Sequence, residues 1–208
     1  MEEITYIIKN APVAGVIFVL TLITSIKAFN DPALKANFIF NPYRVTRNKE
    51  YRRILTHGLI HADTMHLAFN MLTFYFFAFF FEELIGHWQF AIFYVASLIL
   101  SSLTTLFKHR DNPAYNALGA SGAVSAIVLG VVMFYPDIPL RILFIPIDIP
   151  GWLLAIAFMT FSHYASRHRN DNIGHEAHLW GAISGIVLTI LLKPVVIEYF
   201  KAFLERTF

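Results

Sequence analysis

The segment Gly119-Ala120-Ser121-Gly122 sets a serine between glycines at a predicted loop-to-helix junction. Glycine permits backbone conformations and close approaches that side chains resist, and the first turn of a helix leaves N–H groups free to face an oxyanion. A nucleophilic serine needs a base. His178 is the candidate, because it sits inside an apolar helical run where an ionisable group is costly and usually functional. Gly181 and Gly185 follow it in a GxxxG pattern that would let its helix approach the small residues around Ser121. His66 and Asn70, four residues apart, share one helix face. With a backbone N–H, their donors could hold the negative oxygen of a tetrahedral intermediate, and one such donor is worth roughly 3–4 kcal/mol. Each feature alone also has a structural reading: Ser121 as packing or capping, His178 as a buried imidazole bonded to a neighbouring backbone. For His66 and Asn70 it is an interhelical polar pair of about 0.6–2 kcal/mol. In combination they favour nucleophilic catalysis.

The elements that must position these residues are membrane helices. Hydrophobic residues make up 57% of the 208-residue chain and charged residues 14%, far from a soluble composition. Long apolar runs at roughly 10–29, 63–81, 88–107, 117–135, 151–166 and 175–193 predict six spans in an all-α, polytopic bundle, one domain over 1–208. The fifth is short. Six spans put both termini on one side, and the second, fourth and sixth all begin on the opposite face. The first turns of those three helices hold His66 and Asn70, Ser121, and His175 and His178, so the polar residues fall near one depth.

Helix four is bounded by Pro113 and Pro136 and holds about 17 to 20 residues, roughly 25–30 Å, so Ser121 must sit below the near surface in a polar cavity open to one side. The connection at 30–60 is long enough to be functional or partly structured, and Arg141 to Ile149 is expected to lie along or re-enter the interface. Met1-Glu2-Glu3 is acidic where a signal peptide is basic, which predicts that the first apolar run is a retained span.

Composition excludes other classes. A formal net charge of +2 lacks the basic surplus of phosphate-backbone binding, so nucleic acid is not an expected partner. With no cysteine, thiol nucleophiles and thiolate metal sites are absent. His175-Glu176-Ala177-His178 is one residue short of the HExxH zinc motif, so no metal is expected. A proton or metal transporter would use intramembrane carboxylates, yet Glu82 and Glu83 fall at the end of helix two on the face opposite its histidines.

The residues together resemble the rhomboid intramembrane serine proteases, over most of the chain. Arg53 to His61 with His66-Leu67-Ala68-Phe69-Asn70 resembles the family's histidine-rich segment and HxxxN pair. Gly119 to Gly122 resembles its GxSG motif, and Ala177-His178-Leu179-Trp180-Gly181-Ala182-Ile183-Ser184-Gly185 its AHxxGxxxG motif. The resemblance implies a dyad of Ser121 as nucleophile and His178 as base and acid. It implies an oxyanion hole of His66, Asn70 and the Ser121 N–H, with Gly119, Gly122, Gly181 and Gly185 supporting the site. It further implies no cofactor, and as partners membrane lipid and transmembrane-helix substrates of other proteins.

Two positions depart from the family pattern: Arg52-Arg53 stands where many members have Trp-Arg, and Ser125 where some have a tyrosine that stacks on the histidine. The resemblance puts the termini in the cytoplasm. The basic residues favour the reverse, with 5 on the terminal side and 11 on the active-site side. A bacterial plasma membrane is the expected location. A rhomboid-like binder of transmembrane helices that no longer cuts them is the alternative reading.

Overall fold

The computed structural model describes residues 9–141, 147–168 and 174–207. Within them the chain forms α1 (Pro12–Asn30), α2 (Pro32–Phe38), α3 (Pro42–Arg47), α4 (Arg53–Thr56), α5 (Thr64–Ile85) and α6 (His87–His109). There follow α7 (Ser121–Phe134), α8 (Gly151–His168), α9 (His175–Leu192) and α10 (Val196–Thr207), with a two-strand hairpin of β1 (Pro139–Leu140) and β2 (Ile149–Pro150) between α7 and α8.

Four of these helices, α1, α5, α6 and α9, are long and apolar enough to cross a membrane. The fourth expected run, 117–135, becomes a helix of only 14 residues, about 21 Å long. Its first residues are not helical, because Ala117 exchanges two backbone hydrogen bonds of 2.9 Å with Phe40 of the long loop. Helix α7 is the centre of the bundle, packed against α5, α6, α8, α9 and α10 and buried along most of its length. Helix α8 has 18 residues but carries Thr160, Ser162, His163, Ser166, Arg167 and His168 in its second half, which lowers its hydropathy. The stretch expected at the interface begins as the β1–β2 hairpin, tied by an ion pair between Arg141 and Asp148. Its middle, 142–146, and Met1 to Glu3 lie outside the described residues.

Lipid tails are as apolar as leucine, so helices in a bilayer associate through close packing and polar contacts. Both operate here. Phe74, Phe81, Phe90, Phe93 and Tyr94 fill the space between α5, α6 and α7, with the Phe81 and Phe93 rings edge-to-face at 4.8 Å. Pro12 opens α1, whose first free N–H groups need acceptors. Glu82 supplies them: Val13 and Ala14 donate to its two carboxylate oxygens at 3.1 and 2.6 Å, and His87 Nδ1 lies 2.7 Å from one of these oxygens. The fully buried Glu82 therefore fastens α1 to the end of α5. Glu82→Ala would strand two N–H groups and is expected to lower stability by about 3 kcal/mol in denaturant unfolding of the detergent-solubilised protein. An unchanged midpoint would show that water replaces the carboxylate.

The long loop is ordered by side chains that cap and cross-link it. Asp31 and Asn41 cap α2 and α3, accepting from Leu34 N at 2.9 Å and Arg44 N at 2.8 Å. The fully buried Arg53 donates to Glu50 at 2.6 Å and to the carbonyls of Ala36 and Ile39 at 2.8 Å, binding α4 to the end of α2. Arg53 thus acts as an internal brace, and its neighbour Arg52 carries the exposed charge.

Candidate active site

The strand leading to Ser121 is held from the loop side. Beyond the Phe40 and Ala117 bonds, Gly119 N donates to His57 O at 3.0 Å. Gly119 has φ +112°, a conformation that disfavours any side chain. A Cβ there would also lie 2.8 Å from His66 Cε1, so the absent side chain lets the His66 ring rest against this backbone. The turn delivers Ser121 as the first residue of α7, whose first i→i−4 bond is Val124 N to Ala120 O at 2.9 Å. The N–H groups of Ser121, Gly122 and Ala123 precede that bond and are free for an incoming oxygen.

Two buried histidines support this turn. The Ser102 hydroxyl donates to Leu98 O at 3.0 Å and so accepts from His57 Nε2 at 3.1 Å. The Ser25 hydroxyl donates to Leu59 O at 3.0 Å and accepts from His61 Nδ1 at 3.0 Å. Both rings are neutral, because burial pushes His57 down to about 4, and burial together with the neighbouring His66 pushes His61 down to about 3. The unfolded chain, with histidines near the ordinary value of about 6.5, takes up protons that the fold refuses. Stability is therefore full above pH 6.5 and falls as the pH drops toward 4, by on the order of 3 kcal/mol for His57. The thermal midpoint should fall over that window, and His57→Gln should flatten the slope by about one proton. An equal slope in both proteins would contradict this.

Helix α9 comes close to α7 through its small residues. A Cβ at Gly181 would fall on the Gly122 carbonyl, and one at Gly185 on the Ala126 carbonyl. Gly122 in turn faces Ser101 of α6 and the Ala177 carbonyl, so three helices converge beside the serine. His178 is three residues before Gly181 and lies on the same face of α9. It lines one cavity of about 410 Å³ together with Ser121 and Asn70.

The cavity follows α7 from Ser121 to Val132, about 16 Å, between α5 and α8. Contrary to expectation it is largely apolar, walled by residues such as Phe69, Val128, Leu129, Leu154 and Phe158, with polar groups gathered at the Ser121 end. Its walls are faces of helices inside the bundle, so only the end near the loop carries polar side chains.

Not every expected contact is formed. Ser121 and His178 share the cavity without a hydrogen bond between them, and the Asn70 amide donates to His66 O at 3.0 Å, within its own helix. His66 N is capped by Asp63 at 2.8 Å, and its ring meets His61 edge-to-face at 5.0 Å. The position four residues after Ser121 offers no ring, since Ser125 donates to Ser121 O at 2.8 Å. An aromatic partner for His178 comes from α8, where Phe158 stacks at 6.1 Å and 27°. Phe158 escaped the sequence reading because a phenylalanine in an apolar run carries no signal beyond burial. Among the described residues, no group of three or more His, Asp or Glu side chains gathers as a metal site.

The sequence profile of the Rhomboid domain family matches residues 48–195, which contain every one of these site residues. The chain belongs to the rhomboid family. Among its relatives is a Bacillus subtilis (strain 168) protein named "Putative rhomboid protease YdcA", 30% identical over 69% of this chain and 68% of that protein. Another is the Arabidopsis thaliana "RHOMBOID-like protein 12, mitochondrial", 28% identical over 75% of this chain and 50% of that protein. A third, "Putative rhomboid protein L523" of Acanthamoeba polyphaga mimivirus, is 27% identical over 69% of this chain and 77% of that protein. Rhomboid family membership and the apolar helices make this chain an integral membrane protein, in a family whose members are generally serine proteases acting on membrane proteins.

Proposed function

We propose that this rhomboid is an intramembrane serine endopeptidase that cleaves transmembrane segments of other membrane proteins. The observation that carries the reading is the single cavity bringing Ser121, His178 and Asn70 together from three separate helices. Ser121 Oγ attacks the scissile carbonyl while His178 takes its proton, then returns that proton to the leaving amine; water, activated by the same imidazole, releases the acyl group. The N–H of Ser121, the Asn70 amide and His66 are the donors for the oxyanion, and no metal or cofactor takes part. Among the described residues no carboxylate completes a triad. The substrate helix must unwind locally, because a regular helix keeps each carbonyl in its own hydrogen bond, so helix-weakening residues favour cleavage.

We further propose that α7 and α8 complete a six-span bundle with α1, α5, α6 and α9, forming one domain over 1–208. At about 21 Å, α7 is shorter than the hydrocarbon thickness of roughly 30 Å, which sets Ser121 below the surface. We propose that the termini lie in the cytoplasm, as the family resemblance implies and against the count of basic residues, and that the membrane is a bacterial plasma membrane.

The absence of a hydrogen bond between Ser121 and His178 gives the non-catalytic binder its one supporting observation. Unliganded sites often tighten only around substrate, so the protease reading is preferred. The test is cleavage of a tagged single-span reporter in liposomes by wild type and by folded Ser121→Ala, with and without chelator. Cleavage by wild type alone, indifferent to chelator, is expected. Equal cleavage by both proteins would sink the dyad, and chelator-sensitive cleavage would point to a metal.

A further inference from the structure

A general base works only if its ring is aimed, and among the described residues His178 has none of the hydrogen-bond partners that usually aim one. Among the described residues no carboxylate lies against it, and its ring is held by ring contacts alone. Phe158 of α8 stacks on it at 6.1 Å and 27°, and His175, one turn earlier on α9, meets it edge-on at 6.2 Å and 85°. His175 is itself met edge-on by Phe161 of α8 at 5.6 Å. Two phenyl rings three residues apart on α8 therefore face two imidazoles three residues apart on α9, a ladder of rings one helical turn high. Helix α7 contributes no ring, since Ser125 is committed to the Ser121 carbonyl.

Near-parallel rings at this separation attract, and the flat contact restricts rotation about the last side-chain bond of the imidazole. Phe158 also lines the cavity beside Ser121, so the stacked face fixes the direction in which the ring nitrogens point relative to the hydroxyl.

We propose that Phe158 is a positioning residue for His178, and that α8 rather than a carboxylate or an α7 side chain sets the orientation of the imidazole. This rests on the reading of His178 as the base. Phe158→Leu keeps an apolar side chain but removes the ring face, whereas Phe158→Tyr keeps the ring. The expected result in reporter cleavage is a kcat about three- to tenfold lower for Phe158→Leu, with KM changed less, and near wild-type kcat for Phe158→Tyr.

A second readout does not depend on activity. In histidine-labelled protein carrying Ser121→Ala, the NMR signals of the His178 ring should lose their ring-current displacement and broaden in Phe158→Leu but not in Phe158→Tyr. If wild type cleaves no reporter, the protease reading fails while the NMR comparison still decides the contact. Unchanged His178 signals in Phe158→Leu, or equal kcat losses in the leucine and tyrosine variants, would overturn the proposal.

Discussion

Replacing His178 with alanine is expected to lower reporter cleavage by roughly 10³-fold or more while leaving the protein folded, and Ser121→Ala is expected to do the same. The reason lies in how the two residues depend on each other. A serine hydroxyl is a poor nucleophile unless a base takes its proton as it attacks, and here the imidazole sharing its cavity is His178. His66 is turned against Gly119, with its ring on the His61 side, and is not among the residues lining the cavity that Ser121 shares with His178. Residues that act as one unit are strongly non-additive, so the double variant should be no slower than either single one. Independent contributions, with the double variant slower by the product of the two factors, would mean that the residues do not form a dyad.

The second large effect is steric. Gly181→Ala adds one methyl group at the point where α9 touches the Gly122 carbonyl, and neither backbone can rotate away as a side chain could. The helices must separate, at a cost of roughly 1–3 kcal/mol by analogy with overpacked cores. The displacement falls one turn from His178 and one residue from Ser121, so activity should fall with stability. Gly174→Ala is the control: among the described residues its added carbon would meet only Ala177 Cβ at 3.7 Å, an ordinary contact. Thermal unfolding in detergent should show a lower midpoint for Gly181→Ala and little change for Gly174→Ala. Equal midpoints would show that α7 and α9 have slack at this crossing.

The positions of Ser121, His178, Gly181 and Gly185 were legible because membrane helices allow so few polar and glycine residues that each one stands out. Helix parity predicted one depth for Ser121 and His178, and the structure gathers both on one cavity. The start of α7 was legible in the glycines around Ser121 but not in the apolar run, which begins at 117: residues 117–120 are as apolar as the helix, and only pairing with Phe40, 77 positions earlier, draws Ala117 into extended structure. Long-range partners explain the other surprises too. Glu82 read as a carboxylate at a helix end, and its role depends on α1 arriving with two free N–H groups. Arg53 read as one of two adjacent arginines in the long loop, yet the carbonyls of Ala36 and Ile39 draw it fully inside. The cavity was expected to be polar because the short helix four sets Ser121 below the surface, yet its polar groups occupy one end of a slot whose remaining walls are apolar helix faces.

The most direct measurement of the central claim is covalent capture of the nucleophile. Protein in liposomes is treated with a serine-reactive phosphonate, and the adduct is mapped by mass spectrometry in wild type and in folded His178→Ala. The prediction is modification at Ser121 in wild type and little in His178→Ala, since the hydroxyl reacts only when the imidazole takes its proton. Modification at another serine, or equal labelling of Ser121 in both proteins, would contradict the dyad.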